Sequence, residues 1–250
     1  MKKLLLLLVA FAFASCTSSD SASESTNPSS TLKLYTIKET YENNYFPTTT
    51  TTYNIISDTK ISIVEKSSSE ELITDYTLLN GKLLSLKTYY STNVPKKNMT
   101  FEYENDRLSK VVGEEFYGSV STSYKTTTYY TYSGSTAKSK EYDKNNVLIY
   151  ETDLEYDKNW NLIKFVEKDI EYNKTLTSTK EYDNMKNPLS TIFTAPFSVN
   201  NILKNTDLSS DGSKHVDFYT YKYNSDGYPI EEKVYNTQNK LVSTKEYTYK

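Results

Sequence analysis

The chain contains very few of the residues that most often build catalytic and metal sites. Its 250 residues include one cysteine and one histidine. A multi-histidine metal site is therefore excluded, and a histidine-assisted nucleophile would have to use His215, which we interpret as a surface residue. Paired carboxylates could act on a glycoside, but most acidic residues that can be placed lie in turns or alternate with lysines. We predict no enzyme activity, no cofactor and no metal site.

Long apolar runs are absent except near the N-terminus. Two lysines precede the ten apolar residues 4–13, and two small residues lead into Cys16. Because a transmembrane helix needs about 20 residues, this run is too short to be a permanent span. A positive region, a short apolar region and small residues before a cleavage point are typical of an export signal. Residues 1–15 are therefore predicted to be a signal peptide.

Cys16 lacks a second cysteine with which to form a disulfide bond. The segment Phe13-Ala14-Ser15-Cys16 resembles the lipobox of bacterial lipoproteins, which implies cleavage before Cys16 and attachment of lipid to it. A diacylglyceryl group with a further acyl chain exceeds the two lipid signals that stable anchoring requires. We expect the chain to be bound to the outer membrane through lipid on Cys16, at either the cell surface or the periplasmic face.

A Ser/Thr-rich segment follows the cysteine and contains no large apolar residue. Such a composition cannot bury enough apolar surface to offset its chain entropy, so residues 16–31 are predicted to be a flexible tether. Its acidic element Ser19-Asp20 resembles the surface-export signals of lipoproteins from Bacteroidetes-type bacteria. Residues 32–250 are predicted to form one all-β domain.

Glycine and proline are scarce, whereas tyrosine occurs 25 times. Tyrosine can bury its ring and keep its hydroxyl wet, which suits half-exposed sheets. Residues 124–132 and 215–223 alternate as strands do. Residues 68–79 also carry a helix-capping pattern, but Asn80-Gly81 is a strong hairpin signal, so we favour a strand there.

One phrase recurs in the second part of the chain. It reads as a strand end with a tyrosine, a polar turn and a new strand start. The copies are residues 101–108, 141–148, 155–162, 181–189 and 221–230. Asparagine and aspartate take the turn positions because they tolerate left-handed backbone.

These phrases resemble the YD repeats of RHS-type proteins, which also occur in cell-surface lipoproteins of Bacteroidetes-type bacteria. The resemblance covers residues 101–250, and Tyr142 and Tyr156 keep both the Tyr-Asp pair and the following leucine. RHS proteins wind such hairpins into a closed shell, but about 150 residues are too few to close one. The expected fold is an antiparallel meander of YD-like hairpins in an extended, twisted sheet, open or partly rolled.

Two further ligands were tested against the sequence. Asp157, Asn159 and Asn161 have the spacing of the first ligands in a calcium loop, but Leu162 and Lys168 stand where that loop needs glycine and glutamate. A hairpin turn therefore explains the asparagines. Nucleic acid is not expected as a partner, because the net charge is −3 and the lysines form no basic stripe.

The predicted function is a membrane-anchored, non-catalytic binding or interaction module of the cell envelope. Its partner would be a glycan or an envelope protein, contacted by aromatic rings for which the candidates are Trp160, Tyr219, Tyr221 and Tyr223. The same tyrosines could instead only stabilise a thin sheet. The alternatives are a surface glycoside hydrolase or other processing enzyme, and a structural or adhesion protein that uses a free sheet edge.

Overall fold

The computed structural model describes residues 33–42, 46–117, 123–192 and 198–250. They form sixteen β-strands and one short 3₁₀ helix, Pro188–Thr191. The strands are β1 (Leu34–Tyr41), β2 (Thr49–Ser57), β3 (Lys60–Lys66), β4 (Glu71–Leu79), β5 (Lys82–Tyr90), β6 (Pro95–Glu104), β7 (Arg107–Phe116), β8 (Ser123–Ser133), β9 (Thr136–Asp143), β10 (Leu148–Tyr156), β11 (Leu162–Asp169), β12 (Lys174–Lys186), β13 (Asn200–Ser209), β14 (Lys214–Tyr223), β15 (Pro229–Tyr235) and β16 (Leu241–Tyr249).

The strands form a closed antiparallel barrel in which each strand pairs with its neighbours in sequence. The barrel closes because β1 pairs with both β2 and β16. The prediction of an open or partly rolled sheet was therefore wrong, although the all-β class is correct. That prediction counted only residues 101–250, which are too few to close the sheet. The structure adds strands from residue 34 onward, and six strands end before residue 105. Those strands complete the circumference.

The strands expected from alternation are present. Residues 124–132 lie in β8, residues 215–223 lie in β14, and β4 ends at Leu79 as a strand. Asn80 and Gly81 both have positive φ angles, 51° and 75°, as a two-residue type I′ hairpin requires. The preference for a strand over a helix is confirmed for residues 71–79, whereas residues 68–70 lie in the connection before β4.

One turn geometry occurs four times. Three of the turns belong to the repeated phrases at residues 141–148, 155–162 and 221–230, and the fourth, which begins at Asn236, lies outside the predicted repeats. In each turn the first Asp or Asn side chain accepts hydrogen bonds from the backbone N–H groups two and four residues later. The residue three positions later has positive φ. The capping residues are Asp143, Asp157, Asn224 and Asn236, and the left-handed residues are Asn146, Trp160, Gly227 and Asn239. The asparagines of the failed calcium motif belong to such a turn.

The phrase at residues 181–189 does not form the predicted turn. Strand β12 continues through it to Lys186, and the 3₁₀ helix follows. Asn187 caps this helix by accepting a hydrogen bond from Leu189 N at 2.9 Å, and Pro188 supplies the fixed φ of a first helical turn. Leu189 and Ile192 pack against the buried core, so this segment folds inward.

The two faces of the barrel wall differ in chemistry. The outward face carries threonines, lysines and carboxylates in cross-strand register. Its ion pairs include Lys110–Glu102 at 2.8 Å, Lys138–Asp153 at 3.0 Å, Lys140–Glu151 at 3.1 Å, Lys204–Glu181 at 2.8 Å and Lys222–Glu231 at 3.0 Å. A lysine facing lipid at mid-bilayer costs about 2–4 kcal/mol. This wall is therefore built for contact with water and not with hydrocarbon.

The inward face is divided along the barrel axis. We call the end with the turns β2–β3, β4–β5 and β6–β7 the floor, and the opposite end, with the connections β1–β2 and β3–β4, the mouth. Apolar side chains fill the floor and the middle of the barrel and form one buried cluster. They include Leu34, Ile61, Leu78, Leu83, Phe101, Leu108, Ala137, Leu154 and Leu162. Polar inward residues begin above this cluster and continue to the mouth.

Candidate functional site at the barrel mouth

The inward residues toward the mouth are mainly carboxylates, tyrosines and hydroxyl side chains. Strand register places on this face Glu39, Glu65, Glu115, Glu141, Glu167, Asp169, Asp207, Asp217 and Glu232. The lysines on the same face are Lys97, Lys174, Lys180 and Lys245, and Lys174 lies directly opposite Asp169. The interior of the mouth half therefore carries an excess of negative charge.

Two of these carboxylates, Glu141 on β9 and Glu167 on β11, lie close enough on the inner wall for their charges to interact. Burial, and then the charges of Glu141 and Asp169, raise the pKa of Glu167 to about 6. Burial also raises the pKa of Glu141, although hydrogen bonds from Thr126 and Thr128 oppose that rise. Both groups therefore hold their protons more strongly than exposed glutamates do.

An inward ion pair between Lys97 and Glu115 lies on the nearby strands β6 and β7. Lys97 Nζ lies 3.0 Å from Glu115 Oε1, and directly opposed positions on β6 and β7 carry the two residues. The charge of Lys97 lowers the pKa of Glu141, but less than burial raises it. The lysine therefore neutralises Glu115 and only partly offsets the negative charge of this part of the inner wall.

A second polar network lies on the other side of the barrel. Lys245 Nζ is 2.9 Å from Glu232 Oε1, and the Tyr247 hydroxyl donates to Glu232 Oε2 at 2.9 Å. Burial alone would lower the pKa of Lys245, but the carboxylates of Glu232 and Glu39 more than compensate and raise it. Glu232 is thus a buried carboxylate with two donors, and it fixes the relative positions of β15 and β16.

An open cavity of about 300 Å³ lies at the mouth beside β1 to β4. Its aromatic side is the pair Tyr41 and Phe46, whose ring centroids are 5.3 Å apart. The polar side includes Glu65 and Glu70. Burial raises the pKa of Glu65. Phe46 is 59% exposed, so an apolar ring stands at the entrance next to carboxylates.

The floor contains a repeated tyrosine contact that accounts for much of the tyrosine content. In four places a tyrosine near the end of an even-numbered strand donates its hydroxyl to a main-chain carbonyl at the start of the preceding strand. Each carbonyl lies two residues before the first paired residue of its ladder. The pairs are Tyr103–Leu83, Tyr182–Leu162 and Tyr221–Ile202, all at 2.8 Å, and Tyr249–Pro229 at 2.6 Å. We call these contacts tyrosine brackets, because each satisfies a carbonyl beyond the ladder.

Tyr132 occupies the fifth equivalent position, three residues beyond the last pair of β7 and β8. Its buried hydroxyl has no hydrogen-bond partner among the described residues. The guanidinium of Arg107 instead lies over both the Tyr132 ring and the Trp160 ring, at 5.2 and 5.3 Å from their centroids. A cation over two aromatic faces replaces the bracket at this position.

The residues that the sequence suggested for ligand binding lie inside the barrel. Trp160 occupies a floor turn with φ 63° and packs on Tyr156, with ring centroids 5.6 Å apart. Tyr219, Tyr221 and Tyr223 face inward on β14, and burial raises the pKa of all three. Tyr221 forms a bracket. A role for these four residues in binding stays a prediction.

The other predicted residues are His215 and Cys16. His215 lies at the mouth on the same face of β14 as Asp217; its side chain is exposed, and its Nε2 is 3.0 Å from Asp217 Oδ1. Cys16 and the tether lie outside the described residues, so lipid attachment stays a prediction. Among the described residues, no cluster of His, Cys, Asp and Glu could hold a metal ion. In the same ranges, no helix is long and apolar enough to cross a membrane.

The sequence reading missed the inward carboxylates and the Tyr41–Phe46 pair. Alternation showed which residues share a strand face, but the inward polar face at the mouth resembles an outward face in composition. The missing information was the pairing of β1 with β16, which decides which face is enclosed.

Comparison with known proteins finds similarity of fold. No family model matches the chain, and no curated protein matches it. A porin-like protein from Bacteroides vulgatus ATCC 8482 superposes with a TM-score of 0.53 at 13% identity, over 87% of this chain and 98% of that one. A porin-like protein from Bacteroides uniformis ATCC 8492 superposes with a TM-score of 0.55 at 13% identity, over 89% and 99%. At this identity the likeness shows the barrel fold alone.

Proposed function

We propose that the chain is a non-catalytic binding module of the cell envelope that binds a saccharide at the barrel mouth. A lipid on Cys16 would hold it at the outer membrane while the barrel itself stands in water. The observation that carries the proposal is the contrast between the two faces: charged residues cover the outside, whereas the inner face at the mouth lines an open cavity with polar side chains and an aromatic entrance. A pore in a bilayer would need the reverse on its outer wall.

The mouth offers the groups that a sugar needs. Carboxylates accept hydrogen bonds from hydroxyl groups, and the rings of Tyr41 and Phe46 present apolar faces beside Glu65. The cavity of about 300 Å³ is at the small end of ligand sites, which suits one or two sugar rings. The apolar floor and the tyrosine brackets would hold this wall rigid, as a preformed binding site requires.

The alternatives predicted from the sequence were a protein with a working sheet edge, an enzyme, and a module that binds an envelope protein. A free sheet edge cannot be the working surface of the described strands, because every one of them is paired on both sides. Enzyme activity finds no support from the porin-like neighbours. An envelope protein stays the second partner class, and it would bind the same mouth.

The test is a glycan array probed with the full-length chain in detergent. We expect retention of one glycan group, and a loss of at least about tenfold in affinity for Phe46→Ala and Glu65→Gln, since these changes remove a ring and a hydrogen-bond acceptor. Glu155→Gln on the outer wall is the matched control and should bind as the parent does. Failure to retain any glycan, or equal binding by all variants, would contradict the proposal.

A further inference from the structure

The outer wall carries one feature that the mouth does not explain. Tyr129 is 47% exposed in the middle of a wall that is otherwise mainly threonine, lysine and carboxylate. Tyr142 braces it edge-on, with ring centroids 6.0 Å apart and an interplanar angle of 72°. A groove of about 350 Å³ lies against this pair. We call it the outer groove, and it is lined by Tyr129, Thr131, Lys138, Lys140, Tyr142 and Asn146.

The lysines around Tyr129 are held away from its ring by carboxylates on other strands. Lys110, opposite Tyr129 on β7, pairs with Glu102 at 2.8 Å. Lys140, opposite Tyr129 on β9, pairs with Glu151 at 3.1 Å. Both carboxylates lie on the far side of their lysine from the tyrosine, on β6 and β10. These ion pairs hold the two ammonium groups away from Tyr129, so one face of the Tyr129 ring is accessible.

The charge of the groove is balanced. Lys138 pairs with Asp153 at 3.0 Å, so each groove lysine has a carboxylate partner. Each ammonium group uses one strong donor contact there and retains other N–H groups. With the Asn146 amide and the Thr131 hydroxyl, the groove presents hydrogen-bond donors without a large net charge. An anionic ligand gains little here, whereas neutral hydroxyl groups find both donors and acceptors.

We infer that the outer groove is a second binding site, in which a neutral saccharide ring stacks on Tyr129 and its hydroxyls bond to Lys138, Lys140 and Asn146. Aromatic stacking with polar groups at the rim suits a sugar, which has apolar ring faces and a hydroxyl edge. The volume suits one or two rings. This site is on the opposite face of the wall from the mouth, so it does not depend on the ligand bound there.

The test titrates the full-length chain in detergent with neutral glucose-, mannose- and galactose-based oligosaccharides of one to four rings. Affinity is measured by saturation-transfer NMR and calorimetry. We expect Tyr129→Ala to lose at least about tenfold in affinity, while Tyr129→Phe, which keeps the ring, binds within about threefold of the parent. Phe218→Ala is the matched control, since it removes another exposed aromatic ring from the outer wall, on the remote strand β14, and should change nothing.

The outcomes separate the two sites. Loss in Tyr129→Ala with retention in Glu65→Gln supports the outer groove. Retained affinity in Tyr129→Ala, or no binding of any neutral oligosaccharide by the parent, overturns it. Loss in Glu65→Gln alone would leave the mouth as the saccharide site and also overturn the outer groove. Circular dichroism of each variant confirms that the barrel is folded.

Discussion

The floor and the mouth of the barrel use the same strands for opposite purposes. At the floor the inward side chains are apolar, and the tyrosine hydroxyls donate to main-chain carbonyls. At the mouth the same strands present carboxylates, some with raised pKa values, and an exposed aromatic pair. A side chain with satisfied hydrogen bonds contributes stability, whereas one left open to water can contact a ligand. Apolar packing and satisfied hydroxyl groups are therefore concentrated at the floor, and side chains open to water at the mouth.

The largest expected effect comes from a cavity in the floor. Leu108 is 0% exposed, and Leu108→Ala should lower the free energy of unfolding by about 2–5 kcal/mol. Leu72→Ala, beside the mouth cavity, should cost about 1 kcal/mol because that side chain is only partly buried. Guanidinium denaturation of both variants measures the difference. Equal losses would mean that the mouth is packed as tightly as the floor.

The next effect concerns the proton on Glu167, whose pKa is raised to about 6 from 4.5. The unfolded chain loses this proton at lower pH than the folded chain does, so the group makes stability fall as pH rises from about 4.5 to about 6. Glu167→Gln removes that penalty. We expect it to raise the free energy of unfolding by about 1–2 kcal/mol at pH 7.5 and by nothing below pH 4.5.

Urea denaturation at pH 4.0 and pH 7.5 checks this prediction. The same gain at both pH values would show that the effect comes from packing and not from the carboxyl proton. A loss at pH 7.5 would show that the ionised carboxylate is stabilising, and that the polar inner wall of the mouth supports the fold more than the comparison with the floor implies.

The smallest effect tests the tyrosine brackets. Tyr249→Phe leaves the Pro229 carbonyl without its 2.6 Å donor and should cost about 1 kcal/mol. Tyr132→Phe is the matched control, because its hydroxyl is buried without a partner and its removal should cost nothing or be slightly stabilising. Thermal and denaturant unfolding compare the two. Equal losses would show that the hydrogen bond to the carbonyl is not what makes the four repeated brackets stabilising.

Strands and turns followed from the sequence more readily than the enclosure did. The alternation at residues 124–132 and the Asn80-Gly81 turn are local signals, and both are confirmed. The phrase at residues 181–189 has the same local pattern, but there β12 extends and Pro188 starts a 3₁₀ helix that folds onto the core. Local chemistry allowed either outcome, and packing against the floor decided between them.

The candidate site depended on information that no local pattern holds. Glu65, Glu141 and Glu167 are spaced like solvent-facing residues, and only the closed ring of strands places them on the inner face of a barrel. The alternation at residues 215–223 correctly predicted strand β14, but it did not show that the face with Tyr219, Tyr221 and Tyr223 is inside. Which side of a strand is enclosed follows from long-range pairing, so the inner carboxylates could be found only after the topology was known.

The pairing of β1 with β16 also governs when the barrel can form. Thr36 and Thr248 meet across this seam although they are 212 positions apart. Their contact closes nearly the whole chain into one loop, so its entropic cost exceeds that of closing any single hairpin of the barrel. Hairpins between neighbouring strands can form one by one, but the ring of strands closes only when β16 is present to pair with β1. Before this closure β1 and β16 each have one unpaired edge, and an unpaired edge is a place where another chain can add a strand.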